Sequence, residues 1–210
     1  MTCALGLCAS ISLARFDLVS VALPAAVFAS TLWMLFTART TDGLADKSCR
    51  LLMAVLYAGG LIGFLPLLRA HDGGLGWMWL GFGLAWCGDT GGYFAGRAFG
   101  RHKMSPLISP KKTWEGFIGG VLLAVVFASL FKLLFFPSMR IVDCIVLGIL
   151  GDMAGVVGDL VMSVFKRTYG VKDSGRFLPG HGGLLDRIDS VLFTLPTVYI
   201  YVAFFVPSAG

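Results

Sequence analysis

Charge is what this sequence has least of. Asp, Glu, Lys and Arg make up 14% of its 210 residues, where an average soluble domain has ~25%. Apolar residues reach 57%, more than a soluble fold of this length can hide, so the composition points to a membrane protein. Paired cysteines are also missing. Cys3, Cys8, Cys49, Cys87 and Cys144 lie scattered, which excludes a zinc knuckle and a disulfide framework and leaves them as small buried hydrophobes. No basic residue precedes the first apolar run, "MTCALGLCASISLARFD", so an uncleaved N-terminal segment is expected rather than a cleaved signal peptide. Internal repeats, low-complexity tracts and lipidation motifs are absent as well.

What the chain does have is long apolar runs. Residues 18–38, 51–68, 75–99, 117–137, 141–165 and 184–206 each approach the ~17–25 residues that cross a bilayer. Residues 3–13 are too short to cross and suit a re-entrant or interfacial segment. The expected fold class is therefore all-α: a polytopic membrane helix bundle of about six transmembrane helices plus a short N-terminal segment. Six crossings put loops 39–50, 97–116 and 166–187 on one side, with thirteen of the seventeen Lys and Arg residues. Basic loops favour the cytoplasm, so those loops are expected there and both termini outside. Two crossings separate the loops around Lys111 and Lys172, so both open on one face.

The few charges inside the runs are informative, because an ionisable side chain at membrane depth costs roughly 2.5–3.5 kcal/mol on insertion. Asp159, Ser163, Lys166 and Arg167 fall on one helical stripe. Asp186 and Asp189 are three residues apart and share a helical face, with Arg187 turned aside. Together Asp159, Asp186 and Asp189 could converge at one membrane boundary as hard oxygen ligands suited to Mg²⁺. "LPGHGGLLDR" offers Gly180, Gly182 and Gly183 at a helix start, flanked by Lys172, His181 and Arg187, a pattern suited to phosphate. In "SPKKTWEG", Lys111 and Lys112 precede a helix starting near Thr113; a positive-inside anchor and a ligand contact fit them equally. Asp89 lies in the glycine-rich "CGDTGGYFAGR", where helices or a ligand can approach closely. The roles of Asp143 and Asp152 stay open, although both could face the same polar interior as Asp159.

The run "SVFKRTYGVKDSGRFLPGHGGLLDRIDS" resembles the defining motif of the phosphatidate cytidylyltransferases, the CDP-diacylglycerol synthases. The stretch "DTGGYFAGRAFGRHKMSPLISPKKTWEG" is similar to a second region of that family. The resemblance spans roughly residues 75–206 and implies condensation of CTP with phosphatidate to CDP-diacylglycerol and pyrophosphate. It implies Mg²⁺ and a second cation such as K⁺, with Asp159, Asp186 and Asp189 at the metal centre. Lys166 and Arg167 join those carboxylates as catalytic groups. Ser163, Lys172, Asp173, His181, Gly182, Gly183 and Arg187 would line the nucleotide and phosphate site, to which Lys111, Lys112 and Asp89 are added as substrate contacts. A homodimer in the cell (inner) membrane is implied, with its active site facing the cytoplasm and no nucleic-acid partner. The expected organisation is residues 1–74 as N-terminal membrane helices, shorter than usual for the family, and 75–210 as the catalytic region.

The chemistry suits these residues. A phosphate monoester has a second pKa near ~6, so phosphatidate is already a nucleophile at neutral pH, and the catalytic work is to bring two anions together. Two enzymatic alternatives are a CTP-dependent lipid alcohol kinase, which the full motif argues against, and an ether-lipid cytidylyltransferase. An anionic-solute transporter would need polar residues through the full membrane depth and internal symmetry; here the charges gather at one boundary.

Overall fold

A computed structural model describes residues 27–29, 31–32, 36, 43–137, 139–171, 173–175, 183 and 185–206. The chain forms two compact units, Met1–His71 and Asp72–Gly210. In the first, helix α1 (Leu44–Val55) starts after Gly43, whose φ of 66° is a left-handed conformation that glycine holds without strain. A π-helical turn follows at Leu56–Gly60, then α2 (Phe64–Ala70). The stretch 51–68, expected as one span, is thus divided between α1, the turn and α2. Gly59, Gly60 and Gly63 account for this, since glycine is a poor helix propagator. The expected segment 3–13 lies outside the described residues, as does most of 18–38.

The second unit runs α3 (Gly74–Phe99), β1 (Lys103–Ser105), β2 (Ser109–Thr113), α4 (Trp114–Phe135), α5 (Ile141–Thr168) and α6 (Leu185–Phe205). Three helices, α4, α5 and α6, are long and apolar enough to cross a membrane, the only ones among the described residues. At 26 residues, or ~39 Å at 1.5 Å per residue, α3 is long enough. Its glycines, with Asp89 and Arg97, keep its hydropathy below that of a span. The architecture is the expected all-α membrane bundle; among the described residues three helices qualify, against six expected for the whole chain. Its small departure is the antiparallel β1–β2 hairpin, which pairs Lys103 with Thr113 and Ser105 with Ser109.

Within this unit the closest packing is α3 on α4, followed by α5 on α6 and α4 on α5. Glycines set the α3–α4 spacing. A Cβ on Gly91 would come within 2.6 Å of the Gly119 carbonyl oxygen, and one on Gly116 within 2.8 Å of that of Gly92. Backbone meets backbone there, the small-residue contact that membrane helices use. On the opposite face of α4, Ile118, Leu122, Val126, Leu130 and Leu133 stay exposed at helical spacing. A stripe of that size suits hydrocarbon rather than water.

A polar clasp closes the end of the bundle where α5 begins and α6 finishes. Asp143 is 1% exposed and accepts from the Arg140 backbone N–H, Nε and Nη2 at 2.9, 3.2 and 2.8 Å. It also accepts from the Tyr201 hydroxyl at 2.8 Å. Arg140 Nη2 reaches on to the Phe205 carbonyl at 3.3 Å. Asp143 lies sixteen residues before Asp159, ~24 Å away along α5. The expectation that both could share one polar interior is corrected by this separation.

Candidate active site

The opposite end of the bundle gathers the end of α3, the start of α4, the end of α5 and the start of α6. Thr113 caps α4, its Oγ1 accepting from the Gly116 N–H at 3.1 Å, so the helix begins where the sequence placed it. Glu115, in that first turn, accepts from the backbone N–H groups of Arg101 and His102 at 3.1 and 3.2 Å. It also meets the His102 ring at 2.6 Å. One carboxylate therefore ties the entry of the hairpin to the helix that leaves it, and the second strand carries Lys111 and Lys112 across the bundle's mouth. Lys112 reaches α5, where its Nζ lies 2.8 Å from Asp159 Oδ2 and donates to the Val156 carbonyl at 3.1 Å.

On α5 the stripe from Asp159 to Arg167 forms one unbroken helical face. Ser163 is buried within it. Lys166 Nζ pairs with Asp186 Oδ1 at 2.8 Å, and Arg167 Nε turns toward the Ile108 carbonyl at 3.5 Å. This last contact puts the hairpin and the C-terminal end of α5 at the same end of the unit, as two intervening helices require.

The α5–α6 contact is tight at this depth. The Asp189 carbonyl lies against Gly158, where no Cβ would fit, so Asp159 sits beside the first turn of α6. Ser190 then links α6 to α3. Its backbone N–H donates to Asp189 Oδ1 at 2.8 Å, and its hydroxyl donates to Asp89 Oδ2 on α3 at 3.0 Å. Asp89, Asp159 and Asp189 repel one another as charges, while Lys112 and Lys166 offset them. In a low-dielectric setting such an arrangement favours binding cations and phosphate together.

Between α3, β2, α4 and α5 opens a cavity of about 280 Å³. Lys111, Lys112 and Asp159 line it toward the mouth, and Asp152 lies deeper in, against Gly88, the residue before Asp89.

The sequence profile described as the Cytidylyltransferase family matches residues 2–205. The chain belongs to the cytidylyltransferase family. Relatives named "Phosphatidate cytidylyltransferase" include one from Staphylococcus epidermidis, 46% identical over 149 residues, which is 71% of this chain and 56% of the relative. One from Staphylococcus saprophyticus is 44% identical over 149 residues, with the same shares. One from Staphylococcus aureus is 45% identical over 151 residues, again covering 71% and 56%. The matched stretch thus spans little more than half the length of these relatives.

For a cytidylyltransferase-family chain the expected site residues fall into four groups. Asp89, Lys111, Lys112, Asp159, Ser163, Lys166, Arg167, Asp186 and Asp189 stand at one end of the second unit. Asp173 and Arg187 are also at that end, both exposed. Gly183 contributes its backbone, donating to Asp186 Oδ2 at 3.0 Å. Lys172, His181 and Gly182 lie outside the described residues. Asp186 is heavily engaged, since Oδ2 also accepts from the Ser174 N–H and hydroxyl at 2.8 and 2.9 Å.

Two further residues belong here, together with Asp152, which the sequence already allowed to share the polar interior of Asp159. Ser174 holds Asp186, and Ser190 ties Asp89 to Asp189. Asp152 sits seven positions before Asp159, two helical turns on the same face. That spacing was a usable signal for Asp152. Ser190 had only its adjacency to Asp189, and Ser174 had none.

Proposed function

We propose that this chain transfers the cytidylyl group of CTP to phosphatidate, giving CDP-diacylglycerol and pyrophosphate, at the cytoplasmic boundary of a membrane. The observation that carries the reading is the meeting of Lys111, Lys112 and Lys166 with Asp89, Asp159, Asp186 and Asp189 at one end of an apolar bundle. Polyphosphate needs such cations, and a lipid substrate needs them beside hydrocarbon. The names of the staphylococcal relatives support the same substrates.

The donor chemistry fits the Mg²⁺ that this reaction requires. Among the described residues no group of three or more Asp, Glu, His or Cys side chains is set to hold a metal, but Mg²⁺ commonly takes only one or two carboxylates and completes its shell with water and phosphate. Asp159 and Asp189, adjacent across the Gly158 contact, would be those two. Asp186 would join only after giving up Lys166, because its oxygens are otherwise occupied. When bound, the ion would stabilise charge on the leaving pyrophosphate.

The chain's own residues do the rest. Lys112 and Lys166, now held by Asp159 and Asp186, turn to phosphate oxygens when substrate enters. Arg167 and Lys111 screen the repulsion between two anionic substrates. The phosphatidate oxygen attacks the α-phosphorus in line, and the bond to pyrophosphate breaks; no general base is required. Apolar helix faces keep water from competing as the nucleophile.

The test is direct. Protein purified in detergent, given labelled CTP, phosphatidate and Mg²⁺, should yield a lipid carrying cytidine and release pyrophosphate. Leaving out Mg²⁺ should stop the reaction. Transfer of only the terminal phosphate, to a lipid alcohol offered in place of phosphatidate, would replace this reading with a kinase.

A further inference from the structure

Two carboxylates of the cavity have no step in the reaction above; Asp89 is taken by the Ser190 hydroxyl, which leaves Asp152. It is 3% exposed, and its Oδ2 has no hydrogen-bond partner among the described residues. A buried unpaired acceptor is costly. Its place is built, because the carboxylate lies in a slot between Gly88 on α3 and Gly120 on α4. A Cβ on Gly120 would come within 2.8 Å of its Oδ1, and none would fit on Gly88. Asp152 is ~10 Å deeper along α5 than Asp159.

The nearest cation cannot account for it, since Lys112 is directed to Asp159 and the Val156 carbonyl. The cavity, about 280 Å³, is just below the ~300–1,000 Å³ of whole-ligand pockets, so it takes one part of a nucleotide. Phosphate is excluded at the inner end by the carboxylate itself. Phosphatidate has no N–H donor. Of the two substrates, CTP alone carries a donor on a flat ring, the amino group at C4 of its base. Tyr93 and Phe117 line the same cavity, and aromatic rings beside a hydrogen-bonding group are how proteins hold an isolated base. A carboxylate accepts from the cytosine amino group, whereas uracil would present an oxygen to it.

We propose that the inner end of this cavity is a pyrimidine-base subsite in which Asp152 accepts the cytosine amino group and selects CTP over UTP. The proposal rests on the nucleotide reading above. With the base at Asp152, the ribose spans the distance to Asp159, and the phosphates reach the lysines at the mouth.

Wild-type protein should use UTP, and the CTP analogue lacking the 4-amino group, about 10²-fold or more less efficiently in kcat/KM than CTP. The 2′-deoxy analogue of CTP should stay within about tenfold of CTP, since the ribose hydroxyls are the other donors that could meet a carboxylate. In Asp152→Asn, whose amide can donate to the uracil oxygen, the preference for CTP over UTP should fall at least about tenfold. An unchanged preference in Asp152→Asn, or full activity with the analogue lacking the 4-amino group, overturns the subsite and leaves the cytidylyl-transfer reading intact. Should the variant fail to fold, the analogue series on wild-type protein decides alone. Should wild-type protein transfer nothing to phosphatidate, that reading fails, and protection against thermal unfolding decides the subsite. Protection by CTP but not UTP supports it; equal or absent protection overturns it.

Discussion

The two ends of helix α5 use the same residue in opposite ways. Near its start, Asp143 is buried and accepts four hydrogen bonds, from Arg140 and Tyr201. Farther along, Asp159 has a lysine at 2.8 Å and keeps about a quarter of its side chain open. Asp152 between them is buried with an oxygen unpaired. A satisfied buried charge holds structure together, and an under-satisfied one waits for a ligand. Along α5 the two roles go with different numbers of donors.

The sharpest way to break this contrast is to remove each carboxylate in turn. Asp159→Ala should lower cytidylyl transfer at least about 10³-fold while the protein still inserts and elutes as one species, because the loss falls on transition-state charge. Normal turnover in that variant would end the contrast at its functional pole. Next comes Gly158→Ala, whose added methyl meets the Asp189 carbonyl and pushes α6 from α5. A fall in kcat of about 10²-fold, with a lower unfolding temperature, is expected if misplacing the carboxylates is what matters. Unchanged kinetics would mean that the two helices need not touch there.

At the other pole Asp143→Ala should cost about 2 kcal/mol of stability through its lost charge-assisted bonds. Its kcat should match wild type at temperatures where it stays folded. A variant as stable as wild type but slow in turnover would place Asp143 in the wrong class. The smallest effect is expected from Tyr201→Phe, which removes one donor from the clasp and should cost about 1 kcal/mol, read as a lower unfolding temperature in detergent.

Helical periodicity made much of the site legible. The stripe from Asp159 to Arg167 and the pair Asp186 and Asp189 stand on continuous helices, so spacing alone put them on shared faces. The start of α4 was legible for a similar local reason, the Thr113 cap. The hairpin was hidden, because "KMS" and "SPKKT" lack the alternating apolar pattern of a strand. Span counting went astray where glycines were dense. They divide residues 51–68 into separate helices and lower the hydropathy of α3 without shortening it. Partnership across helices was beyond sequence altogether. Nothing in the letters says that Ser190 reaches Asp89, a hundred and one positions earlier, or that Asp186 is filled by Ser174 and Lys166.

The glycine seam between α3 and α4 carries one more implication. Two backbones in van der Waals register leave no rotamers to rearrange, so this pair behaves as a stiff plank. Crosslinks across this plank should therefore leave turnover unchanged, because nothing there has to move.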